Sequence, residues 1–382
     1  MTGKQRTGAR AAVLSEVGGA PQLGHIEIRE PVGAEVLVRI DAVGICHTDI
    51  SLAARWPAKR MPMVFGHEGA GVIEAVGPDC TLPVGTRVVL TFNSCGDCPS
   101  CVAGAPAYCV RSTALNMRGG GDALSHPGGA IIGDFFGQSS FSTYALAHQR
   151  NTIPVGDEIG AAYAAPLGCS VQTGVGGVLN ALAPTPGQAL VIFGAGAVGL
   201  SAVMGARIAG CGVIVAVDPK AERRSLAADL GATHVLDPVG ANVVAELVEI
   251  TGGGADHALD TTALPSVLTD ALVALRPRGQ LAIVGLGAPT ADLPVGLVMG
   301  KGLRVRGVVE GDSVPHQFIP ELIGYHARGE LPLEKLVTTY DFDDFRTAWD
   351  AARDGSAIKP VLTMPRLFGD ADQGLAEVAA LE

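Results

Sequence analysis

A glycine-rich turn between an apolar strand and an apolar helix is the feature that most constrains the fold of this chain. The apolar run Ala189–Phe193 leads directly into Gly194-Ala-Gly196-Ala-Val-Gly199, and a helical pattern covers Val198–Ala209. In such a turn the first glycine permits the sharp bend, the second lets a ligand approach the backbone, and the third lets helix and strand pack closely. The pattern therefore predicts a strand–turn–helix unit within a parallel α/β sheet.

Alternating strand and helix patterns continue beyond this turn. From residue 171 to 309 they follow the βαβ order of a doubly wound parallel sheet, so this region is predicted to form one domain. The other strands predicted in it are Val213–Val217, His234–Leu236, His257–Asp260 and Gln280–Val284, and a second helix is predicted at Lys220–Leu230.

The regions that flank this domain have a different pattern. Within residues 11–150, short alternating runs such as Glu35–Ile40 and Val84–Leu90 lie between glycine and proline turns, which predicts an antiparallel, barrel-like β domain. We expect residues 1–170 and 310–382 to form this second domain together, with the parallel-sheet domain inserted between them. The later elements predicted are helices at Phe318–Arg328 and Phe342–Asp354 and a closing strand at Pro360–Met364.

Composition and charge exclude several classes of protein. The chain has 382 residues and a formal net charge of −11, which argues against nucleic acid or an anionic membrane as its main partner. A stretch of 48 residues, 159–206, has no charged side chain, but Pro166, Pro184, Pro186 and many glycines interrupt it. We therefore interpret it as buried rather than membrane-spanning. The N-terminal segment lacks an apolar export signal, so we expect a cytoplasmic, reducing location.

The second predicted strand of the parallel sheet ends at an acidic residue, Asp218. A carboxylate there can accept hydrogen bonds from ribose hydroxyls and would repel a 2′-phosphate, so together with the glycine turn it predicts an NAD site rather than an NADP site. Arg223 could bind the ribose, or it could favour the 2′-phosphate of NADP. The alternative is a glycine-rich helix start with no ligand. The pyrophosphate is expected at the helix N-terminus, on Gly194, Gly196, Ala197, Val198 and Gly199.

Four cysteines are clustered within 15 residues, namely Cys95, Cys98, Cys101 and Cys109. In a reducing compartment such a cluster indicates a metal rather than disulfides. Four thiolates complete the tetrahedral shell of a structural Zn²⁺ and leave no position for a reacting water. An iron–sulfur cluster and a chance cluster are the alternatives. The spacing therefore predicts a structural zinc lobe at 95–109 and does not by itself indicate catalysis.

Two further cysteines and a histidine are the set that an open catalytic zinc requires. Cys46 lies in the run Gly-Ile-Cys-His-Thr-Asp, His67 lies in Gly-His-Glu-x2-Gly-x5-Gly, and Cys169 lies just before the parallel-sheet domain. Two thiolates and one imidazole leave the fourth zinc position for water or substrate. Spacing alone does not show that the three residues meet. The alternative is two buried cysteines and an ordinary histidine.

The segments that contain these motifs, taken in order, resemble the zinc-dependent medium-chain alcohol dehydrogenases. The resemblance covers residues 11–364 and depends most on the Gly-His-Glu-x2-Gly-x5-Gly signature and the four-cysteine spacing. Met63–Gly71, Phe135–Leu146 and Leu167–Thr173 are similar to the bacterial aryl-alcohol (benzyl-alcohol) dehydrogenases. The resemblance implies a GroES-like β-barrel catalytic domain, a Rossmann NAD-binding domain, and a homodimer or homotetramer.

The resemblance also implies catalytic roles. Cys46, His67 and Cys169 would hold the catalytic zinc, which with the cysteine lobe makes two Zn²⁺ per chain. Among their neighbours, Asp49 would accept a hydrogen bond from the His67 ring, Glu68 would assist ligand exchange, and Thr48 would take the alcohol proton. Many relatives have a histidine three residues after Thr48, where this chain has Ser51. We therefore expect the proton to pass from Thr48 through the ribose to water, with Ser51 as a candidate bridge.

The cofactor contacts implied by the resemblance and a substrate pocket complete the predicted site. For NAD they are His47 at the pyrophosphate, Thr173 at the nicotinamide, Val284 at the carboxamide, Asp218 and Arg223 at the adenosine ribose, and Lys359 at the phosphates. Independently of the resemblance, the aromatic residues near the zinc motifs are candidates for the walls of the substrate pocket, and the alternative for each is an ordinary core position; they are Trp56, Phe92, Phe135 and Phe136. Such a pocket favours benzyl-type or allylic alcohols over ethanol, and the predicted reaction is their reversible oxidation to the aldehyde.

Two other functions are compatible with the same fold. A thiol-dependent formaldehyde dehydrogenase that acts on an S-hydroxymethyl adduct should have an anion-binding pocket, for which the sequence shows no clear cluster. A non-catalytic zinc-binding protein should have a broken ligand set, whereas Cys46, His67 and Cys169 are all present.

Overall fold

The secondary structure is that of a mixed α/β protein. The computed structural model describes residues 6–117, 120–126 and 129–365. The strands, numbered in chain order, are β1 Arg6–Leu14, β2 Gln22–Arg29, β3 Glu35–Gly44, β4 Met63–Val64, β5 Gly69–Val76, β6 Arg87–Leu90, β7 Gly120–His126, β8 Gly129–Gly133, β9 Tyr144–His148, β10 Thr152–Pro154, β11 Ala189–Phe193, β12 Val213–Val217, β13 His234–Leu236, β14 Ala255–Asp260, β15 Leu275–Ile283, β16 Arg304–Gly307, β17 Val337–Asp341 and β18 Lys359–Thr363. The helices are α1 His47–Ala53, α2 Pro99–Val102, α3 Ala161–Ala164, α4 Ser170–Gly176, α5 Ala197–Ile208, α6 Ala221–Leu230, α7 Val243–Ile250, α8 Pro265–Ala274, α9 Val295–Lys301, α10 Pro315–Ala327 and α11 Phe345–Asp354.

The predicted parallel sheet is present and has six strands in the order β13-β12-β11-β14-β15-β16. All five of its pairings are parallel. The central strand β11 is buried at every residue, which is the reason for its uninterrupted apolar sequence. The predicted fold class is confirmed. The sequence did not predict β16, whose four residues are all exposed at the edge of the sheet.

The remaining strands form the predicted β domain. Strands β1, β2, β7, β8 and β4 close a barrel, and a seven-stranded sheet runs in the order β10-β6-β5-β3-β18-β17, with β9 paired to β3. Strand β18 pairs antiparallel with β3, which brings the end of the described chain back to the segment before α1. The C-terminal region therefore helps to position the residues that follow β3.

The uncharged stretch lies where the two sheets meet. All seven residues of α4 are buried, and so is most of α5. One apolar cluster contains residues of both sheets, for example Ala42 and Val89 of the β domain and Leu190 and Leu259 of the parallel sheet. The absence of charge in residues 159–206 is therefore a consequence of burial between the domains. Among the described residues, no helix combines the length and apolarity needed to cross a bilayer.

The domain bounds 1–170, 171–309 and 310–382 remain predictions. Parts of both outer ranges lie outside the described residues. Within the described part, the parallel sheet spans Ala189–Gly307, and α4, which begins at Ser170, packs against α5.

Candidate active site

Cys46, His67 and Cys169 meet in one buried site although they come from three separate segments. Their ligand atoms, together with a carboxylate oxygen of Glu68, all lie within 4.8 Å of one another. Cys46 precedes α1, His67 lies between β4 and β5, and Cys169 precedes α4. The fold therefore brings the three predicted ligands together.

The free nitrogen of His67 indicates what this site binds. His67 Nε2 is buried and has no hydrogen-bond partner within the described part of the chain. A buried polar atom without a partner is unfavourable. A Zn²⁺ ion would satisfy it, because zinc takes imidazole nitrogen and thiolate sulfur as ligands. The donor set of one imidazole and two thiols thus fits an open zinc site.

Asp49 orients the imidazole, as the resemblance implies. Its Oδ1 accepts hydrogen bonds from His67 Nδ1 at 3.0 Å and from the Gly66 N–H at 3.2 Å. Its Oδ2 accepts the Cys46 N–H at 3.0 Å, which also caps the start of α1. In the neutral ring, the form that binds metal, a proton on Nδ1 leaves the Nε2 lone pair facing the thiols. Burial lowers the pKa of His67, but the Asp49 carboxylate opposes this effect, and the resulting pKa is well above its usual value.

The pKa values of the Cys46 and Cys169 thiols are shifted in opposite directions. A hydrogen bond from Cys169 lowers the pKa of Cys46, and burial opposes this effect. The same contact raises the pKa of Cys169, and burial adds to the increase. Cys46 is therefore the first of the pair to become a thiolate, which is the form that binds metal.

Lys359 was predicted to bind the cofactor phosphates, and in the structure its amine contacts Glu68. Its Nζ donates to Glu68 Oε1 at 3.0 Å and Oε2 at 2.9 Å, and to the Ile45 carbonyl at 3.3 Å. Both side chains of this ion pair are buried. Lys359 lines the cofactor cleft described below, but its amine is already used by Glu68. This ion pair with Glu68, which also accepts the Ser170 N–H at 3.2 Å, does not favour the phosphate contact of Lys359, which stays a prediction.

A single cleft of about 800 Å³ joins the metal-ligand site to the glycine turn. Gly194 has φ +88°, and a Cβ at Gly199 would lie 1.8 Å from the Gly194 carbonyl, so both positions require glycine. A Cβ at Gly196 would meet no atom within 4 Å, which leaves room for a ligand against the backbone. The predicted cofactor residues that line this cleft are His47, Thr173, Gly194, Gly196, Ala197, Val198, Gly199, Asp218, Arg223, Val284 and Lys359.

Asp218 is held rigidly at the end of this cleft. Its Oδ2 accepts the Ala195 N–H and its Oδ1 accepts the Lys220 N–H, both at 2.8 Å. Arg223 Nη1 lies 3.7 Å from Asp218 Oδ2. The Arg223 Nε atom is buried with no partner among the described residues. The carboxylate and guanidinium together fit the ribose contact predicted for them.

The structure separates the four predicted pocket aromatics into two pairs. Phe92 and Phe136 line the cleft, and the Phe136 ring stacks on His67 with centroids 4.5 Å apart. Trp56 and Phe135 do not line it. They pack edge to face on each other, with centroids 6.1 Å apart, and each contacts Phe65 in the core. Phe135 also meets His67 edge to face, with centroids 5.6 Å apart, so it supports the site from the core. Substrate contact by Trp56 and Phe135 stays a prediction that these positions do not favour.

The α1 residues differ in their access to the cleft. His47 and Thr48 line it. Ser51 follows them on α1 and is half-buried, but it is not part of the cleft wall. A bridging role for Ser51 in proton transfer is thus a prediction that this position does not favour.

The four-cysteine lobe has the geometry of a second metal site. The sulfur atoms of Cys95, Cys98, Cys101 and Cys109 all lie within 4.8 Å of one another. The Cys101 and Val110 backbone N–H groups lower the pKa of Cys98 to about 6. All four cysteines are free of disulfides. The arrangement fits a closed structural zinc site.

One buried residue of the cleft was not predicted from the sequence. Glu310 lines the cleft and is 9% exposed, and its Oε2 accepts hydrogen bonds from Gln172 and Thr173. No motif covers this position. The available signal was an acidic residue directly after the apolar run Val308-Val309, before Gly311.

Comparisons with known proteins match both halves of the chain. Residues 33–157 match the alcohol dehydrogenase GroES-like domain, and residues 197–324 match the zinc-binding dehydrogenase family. A geraniol dehydrogenase from Castellaniella defragrans is 46% identical over 363 residues, which cover 93% of this chain and 97% of that protein.

Solved structures show the same similarity. An alcohol dehydrogenase zinc-binding domain protein from Burkholderia ambifaria has a TM-score of 0.91 and 44% identity, covering 94% of this chain and 100% of that chain. The benzyl alcohol dehydrogenase from Acinetobacter calcoaceticus has a TM-score of 0.90 and 40% identity, with the same coverage of 94% and 100%.

Proposed function

The chain belongs to the zinc-binding medium-chain alcohol dehydrogenases, and on that premise we propose that it oxidises primary aromatic or allylic alcohols to aldehydes, with NAD as the hydride acceptor. The observation that carries this proposal is the position of Phe92 and Phe136 in the cleft, with Phe136 stacked on His67. A flat substrate would bury its ring against them beside the metal ligands. The similarity to a geraniol dehydrogenase and a benzyl alcohol dehydrogenase supports the same class, because geraniol is an allylic alcohol.

The residues of this chain would each perform a definite task in that reaction. When bound by Cys46, His67 and Cys169, Zn²⁺ supplies a Lewis acid that favours loss of the alcohol proton, and bound NAD supplies the hydride acceptor. Thr48 lines the cleft, and its hydroxyl can accept the alcohol proton as it passes its own proton to the ribose hydroxyl and so to water. The His67 ring keeps one orientation because Asp49 holds its Nδ1. Apolar walls exclude water from the reacting end of the cleft.

The cofactor is proposed to be NAD rather than NADP. The Asp218 carboxylate, fixed by two backbone N–H groups, would repel a 2′-phosphate and accept the ribose hydroxyls. Arg223 can then donate to the same ribose. Two Zn²⁺ ions per chain are proposed, one in each cysteine-containing site.

We also propose a homodimer or homotetramer in the cytoplasm, with small-molecule alcohols and aldehydes rather than nucleic acid or membrane as partners. Strand β16 has an exposed edge, and such an edge can pair with a second copy of the chain. The eight free cysteines fit a reducing compartment.

The test is a panel of alcohols followed at the absorbance of the reduced cofactor. Benzyl alcohol, geraniol and ethanol are each assayed with NAD and with NADP. We expect kcat/KM for the two larger alcohols to exceed that for ethanol by about 100-fold, since burying a ring or chain contributes roughly 2–3 kcal/mol. Comparable values for all three would contradict the proposal. Formaldehyde oxidation that requires an added thiol would support the alternative function instead.

A further inference from the structure

Glu310 lies in a short segment with unusual backbone geometry. Three consecutive residues, Glu310, Gly311 and Asp312, have φ of +50°, +66° and +52°. Left-handed conformations are unfavourable for side chains such as glutamate and persist where the surrounding structure enforces them, often at ligand sites. We call residues 309–313 the strap.

The strap is held tightly from both sides. The Asn180 side chain donates to the Gly311 carbonyl at 3.0 Å, and Ser313 Oγ donates to Gln172 Oε1 at 2.8 Å. A Cβ on Gly311 would lie 2.2 Å from the Gln172 carbonyl, so the strap lies directly on α4. On the other side the Tyr108 hydroxyl donates to Asp312. This packing fixes the direction of the Glu310 side chain.

The two oxygens of the Glu310 carboxyl differ in their hydrogen bonds. Oε2 accepts hydrogen bonds from Gln172 Nε2 at 3.2 Å and from Thr173 Oγ1 at 3.3 Å. Both of these hydrogen bonds go to Oε2 and neither goes to Oε1, and the residue lines the cleft. Burial raises the pKa of Glu310 to about 7, while His67 lowers it and Cys46 and Glu68 raise it. A carboxyl oxygen at the wall of a cleft can accept a hydrogen bond from an N–H or O–H group of a ligand bound there.

The neighbours of Glu310 identify the part of the cleft that it faces. Thr173, its hydrogen-bond partner, is predicted to contact the nicotinamide. The strap follows Val308, whose N–H donates to the Ile283 carbonyl at 2.9 Å, next to Val284 at the predicted carboxamide contact. Glu310 therefore lines the same cleft as the residues expected around the nicotinamide ring and contacts one of them, Thr173.

We propose that the Glu310 carboxyl accepts a hydrogen bond from the amide N–H of the nicotinamide and so fixes the orientation of the ring. This inference rests on the proposed NAD site. The carboxamide has two N–H donors, and burial in a cleft makes each unfilled donor costly. Glu310 is then a cofactor-positioning residue.

The test compares two cofactors that differ only in this group. The dissociation constants of NADH and of reduced 3-acetylpyridine adenine dinucleotide, which has a methyl ketone in place of the amide, are measured by calorimetry without alcohol. The variants are Glu310→Ala and Glu310→Gly, of which the second removes the side chain without backbone strain. Asp312→Asn is the matched control, because it neutralises a strap carboxylate outside the cleft and asparagine tolerates positive φ.

In the wild type we expect NADH to bind about tenfold more tightly than the analogue, and both Glu310 variants to lose that preference while Asp312→Asn keeps it. Equal weakening of both cofactors in the variants would show a loosened strap and overturn the inference. NADH binding that is as tight in both Glu310 variants as in the wild type would also overturn the inference. If the wild type binds NADH and the analogue equally tightly, only this inference is contradicted. If the wild type does not bind NADH at all, the proposed function is contradicted as well.

Discussion

Lys359 Nζ lies 2.9 Å and 3.0 Å from the two carboxylate oxygens of Glu68, in a buried ion pair behind the metal-ligand site. Burial raises the pKa of Glu68, and the lysine opposes that effect. The pair also contacts the backbone of the other site segments, through the Ile45 carbonyl and the Ser170 N–H. It therefore connects β18 to the segments that carry Cys46, His67 and Cys169.

Replacing Lys359 with methionine should destabilise the fold strongly. Removal of one partner from a buried pair leaves an uncompensated charge, at a cost of about 3–5 kcal/mol. The double variant Lys359→Met/Glu68→Gln should recover a large part of that loss. Denaturant unfolding measures these two variants and the single variant Glu68→Gln, with the exposed Lys335→Met as the control. Additive effects of the two single changes would contradict the coupling.

Replacing Asp49 with asparagine should weaken zinc binding at the catalytic site. The amide can still fill the space, but it no longer favours the Nδ1–H tautomer of His67, and loss of such a partner lowers metal affinity about 10–100-fold. Chelator competition on the purified protein measures the affinity. Asp157→Asn, at an exposed side chain paired with Arg87, should leave the affinity unchanged. Equal affinities in the wild type and Asp49→Asn would disprove this role.

Phe136 should determine selectivity among alcohols, whereas Trp56 should not. Phe136→Ala removes the ring stacked on His67, so kcat/KM for benzyl alcohol should fall about tenfold or more relative to ethanol. Trp56→Phe changes a core residue outside the cleft and should lower stability without altering that ratio. The ratio of the two kcat/KM values is the measurement. An unchanged ratio in Phe136→Ala would show that the substrate ring does not depend on contact with Phe136.

The stability of the protein should depend on pH through Glu310. Burial raises the pKa of Glu310 to about 7 from its usual value of 4.5, so the folded protein binds more protons than the unfolded chain between these values. Stability contributed by the protonated carboxyl is present at low pH and lost as pH rises toward 7. Between pH 5.5 and 8 the wild type should lose about 2 kcal/mol relative to Glu310→Gln. Denaturant unfolding of both proteins measures this change. The same difference in unfolding free energy between the wild type and Glu310→Gln at pH 5.5 and at pH 8 would contradict the prediction.

Strands with an apolar pattern can be predicted from the sequence more closely than strands without one. Ala189–Phe193 and Val213–Val217 have the predicted bounds because both are apolar runs in the interior of a parallel sheet. The strand Arg304–Gly307 was not predicted, because its exposed residues show no apolar pattern. The glycine turn is predictable since Gly194 and Gly199 each meet a separate steric requirement and Gly196 leaves room for a ligand.

The segments of the site can be predicted, but not the direction of every side chain in them. Phe135 and Phe136 are adjacent, yet only Phe136 lines the cleft. The partner of Lys359 lies 291 positions away, so no local pattern indicates the ion pair. Glu310 depends on a backbone conformation that strap packing imposes, and sequence spacing does not encode it.

The zinc content of purified protein tests the central claim most directly, namely that Cys46, His67 and Cys169 form a catalytic metal site separate from the cysteine lobe. Metal analysis by mass spectrometry should give two zinc ions per chain in the wild type and one in His67→Ala, with benzyl alcohol oxidation lost in the variant. One zinc ion per chain in both proteins, with equal activity, would contradict the account.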